Sequence, residues 1–262
     1  MMLLEWVPFI SSLLLGSLLR RFWSPSTGIS SSSTPNPFWF YARGVSDKTP
    51  EPKAQPTWGV GPYTGDPSQD PNFEKFDPEL LSSGDTRNVI DRYRYWKMEE
   101  IVSDLDGRRH PFHVAIENWQ HDLNIGSIVR NANAFLAKEV HIVGNKRWNR
   151  RGAMVTDRYQ HVSHHSSIEE LITWAKTAGA GGKKLPIIAI DNVPGCKQLE
   201  KYQLPKECLL LFGQEGPGLS QEALDAADVV LEISQFGSTR SINASAAAAI
   251  TMHTWVIQHV FS

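Results

Sequence analysis

Residues 209–220, LLLFGQEGPGLS, constrain this chain more than any other stretch. Four apolar residues run without a break into a turn carrying Gly213, Gly216, Pro217, Gly218 and a single acidic residue, Glu215. An apolar run bounded by turn residues reads as a buried strand of a parallel sheet. The glycines leave a loop with little side-chain bulk, where backbone N–H and C=O groups can approach a bound molecule closely. Ligands of open α/β sheets sit at the carboxyl ends of strands, which makes this turn a candidate small-molecule site. An ordinary strand-to-helix turn would show the same short glycine pattern.

The surrounding sequence supports the sheet. Residues 112–117 (FHVAIE), 140–143, 187–190 and 229–233 are further strand candidates, and helical spacing covers 124–136 and 168–178. Residues 241–260 form a last helix rich in alanine. Strands alternating with helices imply an α/β domain with a parallel sheet over residues 110–262.

Residues 72–109 read as a short helical extension. Within it, 88–105 place Val89, Ile90, Tyr93, Trp96, Ile101 and Leu105 at intervals compatible with one helical face. Arg92, Arg94 and Lys97 give that helix a basic edge. The edge either faces RNA or a partner, or is a solvated margin of a helix packed on the main domain.

Residues 1–71 differ in composition and read as a disordered leader followed by a Pro- and Gly-rich linker over 49–71. The apolar run at 6–19 is broken by Pro8 and Gly16 and falls short of the roughly 20 residues of a membrane span. No stable membrane association is expected. Glu5 stands where a secretory signal would be positive, and residues 6–45 hold no acidic side chain, faintly like an organelle transit peptide. A cytoplasmic protein is the expectation, with organelle targeting open. The formal net charge of −2 argues against a protein that coats polyanions, without excluding a local RNA site. Cys196 and Cys208 are the only cysteines, which gives neither a disulfide framework nor a zinc spacing. His161, His164 and His165 come nearest to a metal pattern, and no metal is expected.

Three polar clusters each follow a strand candidate: Asn124-x-Gly126-x-x-x-Arg130, Gly213-x-Glu215-x-x-Gly218, and Ser241-Ile242-Asn243-Ala244-Ser245-Ala246. Singly, each has a bland reading. Asn124 can begin a helix with Gly126 leaving room above its first turn, and Ser241 or Asn243 can cap the last helix. In this order and at these spacings, the clusters resemble the three signature motifs of SpoU-type RNA ribose 2′-O-methyltransferases of the SPOUT superfamily, and the resemblance covers 110–262.

That resemblance implies S-adenosylmethionine held in a bent pose within a deep C-terminal trefoil knot, and a homodimer with the RNA site at the subunit interface. It places Gly213, Ile233 and Ile242 at the cofactor-contacting backbone, with Phe212, Glu215, Gly218, Leu219, Gln235 and Ser241 completing the cofactor site. It places Asn124, Arg130, Glu215, Ser241 and Asn243 around the reacting ribose. A neutral, glycine-lined loop agrees with this, because no lysine follows the glycines as a phosphate-binding loop requires. A guanidinium is a very poor base, so Arg130 reads as a phosphate clamp and a stabiliser of the forming alkoxide. Arg240, in SQFGSTR, departs from the pattern of many bacterial members and either contacts RNA or pairs with an acidic neighbour.

RNA partners need cationic surface. Lys146, Arg147, Arg150, Arg151 and Arg158, with Trp148 among them, suit backbone contacts and base stacking, although a solvated loop has the same composition. The expected activity is methyl transfer to structured RNA, tRNA or rRNA. The alternative is a knotted RNA-binding protein without catalysis. A dinucleotide-binding enzyme would need a GxGxxG after the first strand, which residues 112–126 lack.

Overall fold

The computed structural model describes residues 59–118 and 124–262, all within one compact unit, residues 54–262. The leader and the apolar run at 6–19 lie outside the described residues. Among the described residues no helix is long and apolar enough to cross a membrane.

Residues 59–71 pack against the body rather than spanning a gap. Val60 forms an antiparallel bridge with Asp85, and the Tyr63 ring lies 5.7 Å from Phe76 and 5.3 Å from Tyr95. Helix α1 (Pro78–Ser83) starts on Asp77, whose carboxylate accepts the Glu79 N–H, with Pro78 at the first helical position.

The single helix expected over 88–105 is not formed. A short turn at Asp91–Tyr93 is followed by Tyr95 at φ 63, and only Met98–Asp106 is α-helical (α2). The apolar spacing is nevertheless used. Tyr93, Trp96, Ile101 and Leu105 are buried with Phe76 and with Tyr159 from the main body. The basic edge is consumed internally: Arg92 pairs with Asp104 at 2.8 Å, Arg94 donates to the Arg87 carbonyl at 2.6 Å, and Lys97 to the Glu74 carbonyl at 3.0 Å.

The remaining elements are β1 (Phe112–Asn118), α3 (Asn124–Ala134), β2 (Val140–Gly144), β3 (Val162–His165), α4 (Ile168–Ala175), β4 (Ile187–Ile190) and β5 (Lys197–Gln198). They continue with β6 (Cys208–Phe212), α5 (Gln221–Ala226), β7 (Val229–Glu232) and α6 (Ala244–Val260). The seven strands form one parallel sheet in the order β3-β2-β1-β6-β4-β7-β5. The chain builds outward from β1 to β3, then returns, and β6 enters between β1 and β4. All five expected strands are present. β3 escaped the sequence reading because VSHH carries one apolar residue, and β5 because two residues hold no period.

Both sheet faces are covered, which explains the continuous apolar runs. One core joins Ile125, Ile128 and Val129 of α3 and Ala248, Met252 and Trp255 of α6 to Val114, Ile116, Leu210 and Phe212 of the sheet. Trp255 anchors α6: its ring packs 4.6 Å from Phe112 and its indole N–H donates to the Pro205 carbonyl at 3.1 Å. The other core places Ile168 and Leu171 of α4 and Ala223 of α5 on Ala115, Val143, Leu209 and Leu211. A chain of histidines interrupts that second core. His113 Nδ1 lies 3.0 Å from His141 Nε2, and His141 Nδ1 lies 3.0 Å from His165 Nε2. Burial pushes His113 down to about 4 and His141 to about 2, so both rings stay neutral.

Candidate active site

A cavity of about 550 Å³ opens at the carboxyl ends of β4, β6 and β7. It lies outside the carboxyl ends of the strands, where α/β sheets hold ligands. Three loops build it: residues 191–194 after β4, 213–219 after β6 and 233–242 after β7.

The middle loop is a tight turn. Gln214 and Gly218 exchange backbone hydrogen bonds at 3.2 Å, and a Cβ on Gly213 would stand 2.2 Å from the Gly218 carbonyl carbon. Glycine at 213 is therefore required by backbone approach. Gly218 sits at φ +76 with the Asp191 carboxylate 2.7 Å from where its Cβ would be. Asp191 also accepts the Leu219 N–H at 2.9 Å and so ties the first loop to the second. The third loop is pinned at both ends. Glu200 accepts the Ser234 N–H at 2.9 Å, and Asn192 donates to the Arg240 carbonyl at 2.5 Å.

Glu215 gathers the polar motifs. Its Oε2 accepts from Asn124 Nδ2 at 2.9 Å, from Asn243 Nδ2 at 3.1 Å and from the Ala244 N–H at 3.2 Å. Asn243 Nδ2 also reaches Asn124 Oδ1 at 2.8 Å. Asn243 is the N-cap of α6, its Oδ1 accepting the Ser245 and Ala246 N–H groups. The carboxylate thus stands at the start of a 17-residue helix, where the helix dipole favours negative charge. On β1, Glu117 is fully buried and accepts the N–H and the hydroxyl of Ser220 at 2.8 and 2.7 Å, which holds the end of the glycine loop on the sheet.

Phe212, Gly213, Glu215, Gly218, Leu219, Ile233, Gln235, Ser241 and Ile242, the residues expected around the cofactor, all line the cavity. Of the residues expected around the ribose, Asn124, Glu215 and Asn243 are hydrogen-bonded together and Ser241 lines the cavity. Arg130 does not join them. It is exposed on α3, about 9 Å along the helix axis from Asn124, with no ion pair or hydrogen bond among the described residues. Gly126 has a use beyond leaving room at the helix start. A Cβ there would lie 2.8 Å from the Asn149 carbonyl oxygen and the Ala153 nitrogen, so α3 rests directly on the turn Arg150–Ala153.

That turn belongs to the basic segment. Lys146, Arg147, Arg150, Arg151 and Arg158 are exposed, and Asn118 holds the start of the segment by donating to the Asn145 and Arg147 carbonyls. Arg150 lies over the Trp148 ring at 5.4 Å and pairs with Asp157 at 3.2 Å. Lys146, Trp148 and Arg150 line a second cavity of about 350 Å³ on the edge of the sheet. Arg240 lies apart from these, exposed on the rim of the first cavity, and forms no ion pair among the described residues.

The SpoU rRNA Methylase family model matches residues 111–253, more than half of the chain. The chain belongs to this family. The tRNA (guanosine(18)-2′-O)-methyltransferase of Escherichia coli (strain K12) is 30% identical over 156 residues, which cover 58% of this chain and 66% of that enzyme. The enzyme of the same description from Saccharomyces cerevisiae is 30% identical over 109 residues, 41% of this chain and 7% of that protein. The chain therefore spans less than two thirds of either relative. Among solved structures, the SpoU methyltransferase AviRb from Streptomyces viridochromogenes, in complex with the cofactor AdoMet, superposes with a TM-score of 0.53 at 25% identity. The match covers 60% of this chain and 61% of that one.

In this SpoU family chain the sequence reading passed over Asp191, Asn192 and Glu117. Glu117 ends the 112–117 strand candidate fully buried, where a carboxylate is costly unless hydrogen-bonded, and Asp191 and Asn192 directly follow the 187–190 candidate at the carboxyl end of the sheet.

Proposed function

We propose that this chain transfers a methyl group from S-adenosylmethionine to a ribose 2′-hydroxyl of structured RNA, tRNA in the first place. The observation that carries the proposal is the meeting of Asn124, Glu215 and Asn243, distant in sequence, on one carboxylate that also lines the cavity. tRNA is what the E. coli and yeast relatives act on by name, and AviRb was solved with AdoMet.

The cavity fits the cofactor. Its volume lies in the range of about 300–1,000 Å³ usual for such ligands. Phe212, Leu219, Ile233 and Ile242 offer apolar contact for an adenine, while Asp191, Glu215 and Glu232 supply negative charge suited to a sulfonium and an ammonium. When bound, S-adenosylmethionine supplies an electrophilic methyl on sulfur. The glycine loop presents backbone polar groups to the ligand, and Asn124 and Asn243 are held in fixed orientation by Glu215. Arg130, a permanent cation, clamps the phosphate beside the reacting ribose and stabilises negative charge forming on its 2′-oxygen. The hydroxyl proton leaves to another acceptor, and alignment of oxygen and methyl carbon supplies much of the rate.

Lys146, Arg147, Arg150, Arg151, Arg158 and Arg240 form the RNA-facing surface of this reading. The trefoil threading implied by the family motifs belongs to this reading, in which Asp191 and Asn192 of the loop after β4 bond the loops after β6 and β7. Exposed Ile250, Ile257, Val260 and Phe261 on and just beyond α6 support a homodimer.

Transfer of tritium from labelled S-adenosylmethionine to total RNA, followed by alkaline digestion, tests the proposal, because 2′-O-methylated linkages resist alkali. Arg130→Ala is expected to abolish transfer while leaving cofactor affinity near that of the parent. A loss of cofactor affinity would overturn the role given to Arg130. RNA binding without any transfer by the parent protein would make the chain a non-catalytic knotted RNA-binding protein.

A further inference from the structure

We propose that His113, His141 and Glu139, on the α4 face of the sheet and away from the methyl-transfer cavity, form a binding site for a divalent zinc ion. Continuing the parallel register of Val114 with Val140 by one residue sets His113 of β1 beside Glu139, the residue before β2, and His141 follows two residues on, so all three project to one face. His113 Nδ1, His141 Nε2 and a Glu139 carboxylate oxygen lie within 4.8 Å of one another. The separations are 3.0 Å between the two ring nitrogens and 3.9 Å from His141 Nε2 to Glu139 Oε2. Zinc bonds of about 2.0–2.1 Å in tetrahedral geometry set ligand atoms roughly 3.3 Å apart, so the two ring nitrogens must part by about 0.3 Å and the Glu139 carboxylate must close in by about 0.6 Å or more to seat the ion.

The outer atoms of His141 and Glu139 are already engaged, as metal ligands require. His141 Nδ1 lies 3.0 Å from His165 Nε2; with the proton of His141 held there, its Nε2 presents a lone pair toward His113 Nδ1, and the ion replaces the 3.0 Å hydrogen bond between those two atoms. The Ser163 hydroxyl donates to Glu139 Oε1, which turns Oε2 inward. The set of two imidazoles and one carboxylate is one that zinc accepts, with a water completing the fourth position. Glu139 keeps a quarter of its side chain exposed and provides the way in, whereas His141 is fully buried. Trp174 of α4 covers the group, its ring 4.1 Å from His141 and 5.0 Å from His113. An ion here joins β1 to β2 and, through His165, to the edge strand β3.

The test is titration of the full chain, stripped of metal by a chelator and then dialysed, with zinc chloride by calorimetry and with cobalt(II) by visible absorption. One equivalent of zinc is expected to bind and to raise the thermal midpoint. Cobalt should give the visible bands of a nitrogen- and oxygen-ligated tetrahedral ion, without a thiolate charge-transfer band. Glu139→Gln and His113→Gln should each remove the binding, Ser163→Ala should weaken it about tenfold, and the outlying His161→Gln should leave it unchanged. Absence of saturable zinc binding by the parent overturns the proposal. Binding that survives both Glu139→Gln and His113→Gln, or a thiolate signature from either cysteine, overturns it too. The readout is metal binding and not methyl transfer, so it stands or falls apart from the proposed activity.

Discussion

Met154 and Val155 stand at φ 48 and φ 72, in the left-handed region that a β-branched residue rarely enters. Both are about half exposed, so no packing of their side chains compensates. Their neighbours do the holding: Ala153 and Thr156 are buried, and the Thr156 hydroxyl donates to the Ala153 carbonyl at 2.6 Å. Val155→Asn relieves the strain without touching those anchors and should stabilise the fold by about 1 kcal/mol, read as a higher thermal midpoint. A lower midpoint would show that this backbone is unstrained. Nothing in the sequence announced the conformation, because a left-handed turn is ordinarily signalled by glycine or asparagine, and the chain has neither at 154 or 155. Gly213 and Gly218 were legible for the opposite reason. Each is a position where a Cβ would collide with backbone or with Asp191, so the glycine pattern recorded a real geometric demand. Arg130 was legible only through its motif. Among the described residues its side chain makes no ion pair or hydrogen bond that would distinguish it from any exposed arginine.

At the level of elements, the sheet and its two helical layers followed from apolar runs, and the failures have local causes. Tyr93 and Trp96 reach the same buried cluster as Ile101 and Leu105, but from a turn that ends at Tyr95, so helical spacing was satisfied without a helix. The start of α3 shows what spacing alone could not. Gly126 lets the helix lie on the Arg150–Ala153 turn, and Gly126→Ala would push a methyl to 2.8 Å from the Asn149 carbonyl oxygen. That variant should lose about 1–3 kcal/mol in denaturant unfolding, against a gain expected for the same change in an open helix. The start of α6 separates two roles of one side chain. Asn243→Ala removes both the cap and the link to Glu215 and should cost about 1 kcal/mol of stability. Asn243→Asp keeps a capping oxygen but sets a carboxylate beside Glu215, so most stability should return while methyl transfer stays low. Recovery of transfer in Asn243→Asp, measured with labelled S-adenosylmethionine, would show that the amide donor is dispensable.

For the whole molecule, the distribution of exposed apolar surface bears on assembly. α6 buries Ala248, Thr251, Met252 and Trp255 on the sheet and leaves Ile250 at 42% and Ile257 at 47% exposed on its other side. These two are seven residues apart, which places them on one stripe two turns long, and Val260 and Phe261 extend it beyond the second of them. Exposed apolar residues gathered on one helix side, here interrupted by His253 and Thr254, mark a contact surface. The same helix begins at its N-cap Asn243, which donates to Glu215, and Ile250 lies about 10 Å along it from that cap. Net charge of −2 overall presents little electrostatic barrier to self-association. Ile250→Glu combined with Ile257→Glu should therefore convert a dimer to a monomer in sedimentation velocity without lowering the thermal midpoint beyond the loss of dimer contacts. Methyl transfer should fall in that variant while the monomer still binds S-adenosylmethionine, since the cavity loops are built from one chain. A parent protein that sediments as a monomer at all concentrations would remove the dimer from the proposed function and leave the stripe to an RNA or protein partner.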